Sequence, residues 1–193
     1  SIMAVKELKD EYPEEFEPAE LHLKTTAPGL HSAMEQWVPK LRVHYDSWPE
    51  SVLKEFYAAQ HVLLAPSRGE GKNMPALEFQ STGGAVIATN WGGHTGWLSS
   101  EYAYPLNYKL MELDDNPKVF NARADKDHMK ALMLHTFRNR AEVKQKADLA
   151  AQIIPQTMRK VITLLKELVK RDREDYWMEL NTTKCQIHFT RIN

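Results

Sequence analysis

Short runs of β-branched and aliphatic residues alternate along this chain with segments whose apolar positions recur at helical spacing, the signature of βα units stacked into a parallel sheet. Ile2, Val5, Leu8 and Tyr12 draw one apolar stripe on an opening helix, which Pro13 and Pro18 end. Leu21 and Leu23 mark a first short strand. A helical piece carrying Leu30, Met34 and Val38 follows Pro28-Gly29, and the alternation of Leu41, Val43 and Tyr45 makes a second strand. Ser47 and Glu50 have capping-box spacing, so the next helix, with Val52, Leu53, Phe56 and Tyr57 on one face, is expected to start there and feed a strand from His61 to Ala65. Pro66 to Lys72 reads as a polar loop, Asn73 as the N-cap of a helix over Met74 to Thr82, and Gly83-Gly84 as its end. Ala85 to Thr89 is a fourth strand, Asn90 to Gly96 a glycine-rich loop, and Tyr102 to Tyr108 a final short strand. The βα units thus occupy roughly residues 1–110. Apolar stripes make 127–175 helical, and Cys185, Ile187 and Phe189 alternate with polar neighbours as a strand pattern over 184–190.

Composition narrows the class. A length of 193 residues suits one domain and falls short of two Rossmann-sized lobes. Basic and acidic residues balance at 25 against 26, for a net charge of -1, so no global field draws the chain to nucleic acid. The single cysteine, Cys185, excludes an intramolecular disulfide and multi-cysteine zinc patterns, and it favours a reducing compartment, hence a cytoplasmic location. No apolar run approaches the roughly 20 residues of a transmembrane helix. No HExxH pattern or metal-spaced histidine pair occurs, so no metal site is expected.

In an open parallel sheet, ligands bind beyond the carboxyl ends of the strands, where loops lead into helix N-termini that favour anions. Two loops fit: 66–73, Pro-Ser-Arg-Gly-Glu-Gly-Lys-Asn, and 90–96, Asn-Trp-Gly-Gly-His-Thr-Gly. Their glycines let backbone approach a ligand, and N–H groups at the start of the Met74 helix can cradle a phosphate. Standard nucleotide motifs fail on these residues. Gly71-Lys72 lacks the first P-loop glycine, replaced by Pro66, and the magnesium-binding hydroxyl, replaced by Asn73. Met74 stands where a dinucleotide fingerprint needs its third glycine. Two carboxylates, Glu70 in the first loop and Glu78 one turn into the helix, can accept paired hydroxyl donors, which suits a sugar nucleotide. Of the eight histidines, only His94 lies in a glycine loop.

The stretch Leu64-Ala65-Pro66-Ser67-Arg68-Gly69-Glu70-Gly71, then Met74-Pro75-Ala76-Leu77-Glu78, then Gly84 to Thr95, resembles the C-terminal donor-binding domain of GT-B glycosyltransferases, nearest to the retaining family 4 (glycosyl transferases group 1). That resemblance implies a Rossmann-like α/β fold, in which a parallel sheet is flanked by helices and C-terminal helices follow. It implies a metal-independent hexosyltransferase that needs no cofactor and takes a nucleotide sugar as donor substrate. Glu70 would contact the reacting sugar as the catalytic-site acid, and Glu78 the ribose hydroxyls. Gly71, Lys72, Asn73 and Met74 would meet the sugar and diphosphate, with Arg68, Gly93 and His94 as further candidates. The base would rest near Thr25 and Asp46 to Trp48. The chain departs from the family pattern at Lys72-Asn73, Gly83-Gly84-Ala85 and Gly96, which bears on donor identity.

The resemblance also implies an acceptor-binding N-terminal lobe, which this sequence lacks, so the chain alone is expected to bind donor and to transfer poorly without a partner lobe or chain. The alternative is a non-catalytic sugar-nucleotide-binding or regulatory module of the same fold. The opening helix resembles the one that follows the family's first strand, whereas Ile187 to Asn193 resembles that strand and its Gly-Arg turn. The tail is therefore expected to serve as the central strand of a permuted or swapped domain, with Arg191 aimed at the diphosphate.

Overall fold

The structure, a computed structural model, describes residues 2–25, 38, 40–45, 47–113, 116–156, 159 and 163. Contacts divide the chain into two compact units, Ser1–Ile154 and Pro155–Asn193, and the architecture below is that of the first. In chain order it contains α1 (Ile2–Glu11), α2 (Pro13–Phe16), β1 (Leu21–Lys24), β2 (Leu41–His44), α3 (Glu50–Ala58), β3 (Val62–Ala65), α4 (Met74–Ser81), β4 (Ala85–Thr89), a 3-10 turn (Gly92–Gly96), β5 (Tyr104–Leu106), β6 (Tyr108–Leu113), β7 (Asn116–Ala124) and α5 (Lys126–Arg138). A further helix, α6, starts at residue 140 and runs to the end of this unit at 154.

This is the expected α/β architecture of parallel sheets flanked by helices. β1 pairs in parallel with β2, Leu21 opposite Leu41, and β3-β4-β5 form a second parallel sheet with β4 in the middle. A strand flanked on both sides and covered on both faces has to be apolar throughout. β4, Ala-Val-Ile-Ala-Thr, is apolar up to its last residue, and every residue in it is buried, Thr89 included. The core gathers Val5 and Leu8 of α1, Phe16, Ile87, Leu106, and Met129 and Met133 of α5. Phe16 stacks on Phe137 at 4.4 Å between ring centroids.

Three expectations need correction. The Ser47–Glu50 capping box does not form: α3 begins at Glu50 with Pro49 as its N-cap and no side-chain cap bond. The physical reason is Pro49, which disfavours helical φ/ψ at the preceding Trp48, so a helix cannot run from Ser47 through it. Loop 90–96 is not irregular throughout, because Gly92–Gly96 winds into a 3-10 turn. The strand expected over Tyr102 to Tyr108 is confined to Tyr104–Leu106, and an antiparallel hairpin, β6–β7, follows it with Leu110 opposite Ala122. That hairpin escaped the sequence pattern because its apolar residues do not track burial: Leu110, Met111 and Phe120 are exposed while Ala122 is buried.

The α4 boundaries hold, with a Schellman end. Gly83 N–H bonds the Gln80 carbonyl at 3.1 Å and Gly84 N–H the Phe79 carbonyl at 3.2 Å, with Gly83 at φ +86°. The helical piece around Leu30 and Met34, Asp46, the strand pattern over 184–190 and Arg191 lie outside the described residues.

Candidate functional site

The two glycine loops leave adjacent parallel strands, β3 and β4, at their carboxyl ends, where a doubly wound sheet presents its ligand crevice. They are locked together by backbone. Gly93 N–H donates to the Glu70 carbonyl at 2.9 Å. A Cβ on Gly93 would lie 1.7 Å from the Gly71 carbonyl oxygen, so only glycine permits this approach. Trp97 Nε1–H donates to the Lys72 carbonyl at 2.8 Å, which fixes the loop from a second side. A third tie comes from the hairpin, where Ala122 N–H donates to the Arg68 carbonyl at 2.8 Å.

At the mouth of α4, Asn73 takes the left-handed conformation, φ +58°, which asparagine tolerates better than most residues. Its Oδ1 accepts from Ala76 N–H at 3.3 Å, completing the expected N-cap. Pro75 has no N–H, so the amide donors at this helix end are those of Gly71 to Met74. They sit where the helix dipole favours negative charge.

Glu70, Arg68, Gly71 and Met74 are exposed, as is Glu78 on α4, whereas Lys72, Asn73 and Gly93 are half-buried. His94 differs from all of these. It is 1% exposed, its Nδ1 lies 2.7 Å from the Thr89 carbonyl and its Nε2 3.0 Å from Asn73 Nδ2. Both ring nitrogens are thus engaged inside the protein. Trp97 packs edge-on against the ring at 5.4 Å.

One feature was missed from sequence, and a second, the region near Thr25 and Trp48 where the resemblance places the base, was named there without its neighbours. Tyr57 of α3 packs on Phe79 of α4, and burial, and then the charge of Glu78, hold its hydroxyl pKa above the usual tyrosine value. A signal existed, since Tyr57 was placed on the α3 apolar face, but its pairing with α4 is a tertiary fact. The second feature lies at the carboxyl ends of β1 and β2. His44 and Phe56 pack on Trp48 at 5.1 and 5.0 Å, the Lys24 ammonium sits 5.1 Å over the Trp48 ring, and His22 Nδ1 meets His44 Nε2 at 3.1 Å. Among the described residues, no group of three or more His, Cys, Asp or Glu side chains could hold a metal ion. No described helix is long and apolar enough to cross a membrane.

No family model and no curated protein sequence matches the chain. Among solved structures, a glycosyltransferase from Rickettsia africae ESF-5 superposes with a TM-score of 0.62 at 14% identity, over 88% of this chain and 43% of that one. The chain therefore spans less than half the length of that glycosyltransferase, and at this identity the likeness establishes a shared fold.

Proposed function

We propose that this chain is the nucleotide-sugar-binding domain of a glycosyltransferase of the GT-B, retaining family 4 type, moving a hexose-type sugar without a metal. The observation that supports this reading best is the backbone lock between the two loops. It holds an acid, a cation and a helix N-terminus at the carboxyl ends of two adjacent parallel strands. In the proposed roles, the amides of Gly71 to Met74 receive the diphosphate, and Lys72 adds charge. Glu70 accepts hydroxyls of the donor sugar, and Glu78 those of the ribose. The Trp48 group takes the base. As the glycosidic bond breaks, the leaving diphosphate gains negative charge, and N–H groups already aimed at it stabilise the transition state without reorganising.

The two acids should be separable. Glu78→Ala should weaken a free nucleoside diphosphate and the corresponding nucleotide sugar alike, since the ribose is common to both. Glu70→Ala should weaken only the sugar-bearing ligand. Each lost charge-assisted hydrogen bond is worth about 1.5–3 kcal/mol, read directly by calorimetric titration. Equal losses of nucleoside diphosphate affinity in the two variants contradict these roles.

A further inference from the structure

We infer that His94 is a positioning residue that never touches the donor: it acts by fixing the side-chain amide of Asn73, and thereby the N-terminus of α4. The inference rests on the donor-site reading above, and it follows from which atoms can donate. The Thr89 carbonyl can only accept, so the His94 Nδ1 that meets it at 2.7 Å carries the proton. Asn73 Oδ1 accepts from Ala76 N–H, so the amide group facing His94 is the Nδ2 donor, and Nε2 must present a lone pair at 3.0 Å. In this arrangement the ring uses one nitrogen as donor and the other as acceptor, and both are spent.

The consequence falls on Asn73. A flipped amide would turn its NH2 toward Ala76 N–H, donor against donor, and the side-chain cap would be lost, leaving that N–H only its 3.1 Å bond to the Asn73 carbonyl. Nothing in the asparagine rotamer itself forbids that flip, since the terminal torsion is broad. His94 forbids it, because an Nε2 lone pair rejects Oδ1. The positive φ of Asn73 makes the selection more consequential, since the cap bond helps hold a backbone conformation that costs energy outside glycine. A chain of three bonds therefore runs from the end of β4 through His94 and Asn73 to the first turn of α4, tying the second loop to the helix end that would receive the phosphates.

Two substitutions divide the functions of the ring. Glutamine at 94 can place an oxygen near Nε2 and keep the acceptor for Asn73, while giving up the bond to Thr89. Asparagine at 94 reaches the Nδ1 position and keeps the Thr89 bond, but gives up Asn73. Both remove buried ring surface and should lower the melting temperature. Amide hydrogen exchange at Ala76, measured without ligand, should rise about threefold in His94→Asn and stay at the wild-type rate in His94→Gln, since this N–H keeps its 3.1 Å bond to the Asn73 carbonyl and loses only the longer side-chain one. Nucleotide-sugar affinity, measured by calorimetry, should follow the same order. If Ala76 exchange rises equally in both variants or in neither, His94 does not work through Asn73 and the inference is overturned. If the exchange pattern holds but wild-type protein binds no nucleotide sugar, the positioning stands and the donor-site reading fails.

Discussion

Gly93→Ala should reduce nucleotide-sugar affinity by more than about 100-fold while leaving a folded protein. The added methyl would sit 1.7 Å from the Gly71 carbonyl oxygen, 2.3 Å from its carbon and 2.8 Å from the Glu70 carbonyl oxygen. All three are backbone atoms, so no side chain can rotate away. The loops must separate by more than 1 Å to reach ordinary contact, and the 2.9 Å bond from Gly93 to Glu70 breaks with them. If the shift removes two charge-assisted hydrogen bonds to the donor, the loss is about 3 kcal/mol or more, which is over 100-fold. β4 and the buried face of α4 pack independently of this contact, so circular dichroism should show retained secondary structure. Gly96→Ala serves as the control, because a Cβ there meets nothing within 4 Å. Wild-type affinity in Gly93→Ala would remove the loop lock from the account.

Phe79→Ala should be the most destabilising single change in α4, by about 3–5 kcal/mol, the usual cost of emptying a fully packed aromatic site. Phe79 is 1% exposed, and Tyr57 meets its ring edge-on at 5.7 Å. The same ring explains Gly84. A Cβ on Gly84 would lie 2.0 Å from Phe79 Cε1, so Gly84→Ala alone should destabilise by overpacking. In the Phe79→Ala background the cavity can accept that methyl, and the two losses should be less than additive. Urea unfolding of the two single variants and the double variant measures the coupling. Strict additivity would mean that ring and glycine do not share the space the structure gives them.

What the sequence showed of the fold is what period and punctuation carry. β4 is apolar from Ala85 to Ala88, Asn73 caps, Gly83-Gly84 terminates, and each was readable because the cause lies within a few residues. The Ser47 cap failed where two local rules competed and the proline restriction outweighed the capping box. The β6–β7 hairpin was silent because its strands leave large apolar side chains in solvent, so burial did not impose alternation. At the site, the glycines announced a close approach, yet the partner of that approach, the neighbouring loop as well as any ligand, is visible only in three dimensions. His94 was singled out for its loop, but its burial and its bond to Asn73, 21 residues away, are tertiary facts.

Nucleotide-sugar binding by the two locked loops underlies every role proposed above. Its most direct test is the melting temperature of the purified chain across a panel of nucleotide sugars and their free nucleoside diphosphates. A ligand at 100 times its dissociation constant stabilises by about 2.7 kcal/mol, which is a shift of about 5–11 °C for a chain of this size. At least one nucleotide sugar should give such a shift, larger than that for its own nucleoside diphosphate at equal concentration. A panel in which no nucleotide or nucleotide sugar moves the melting temperature would contradict it.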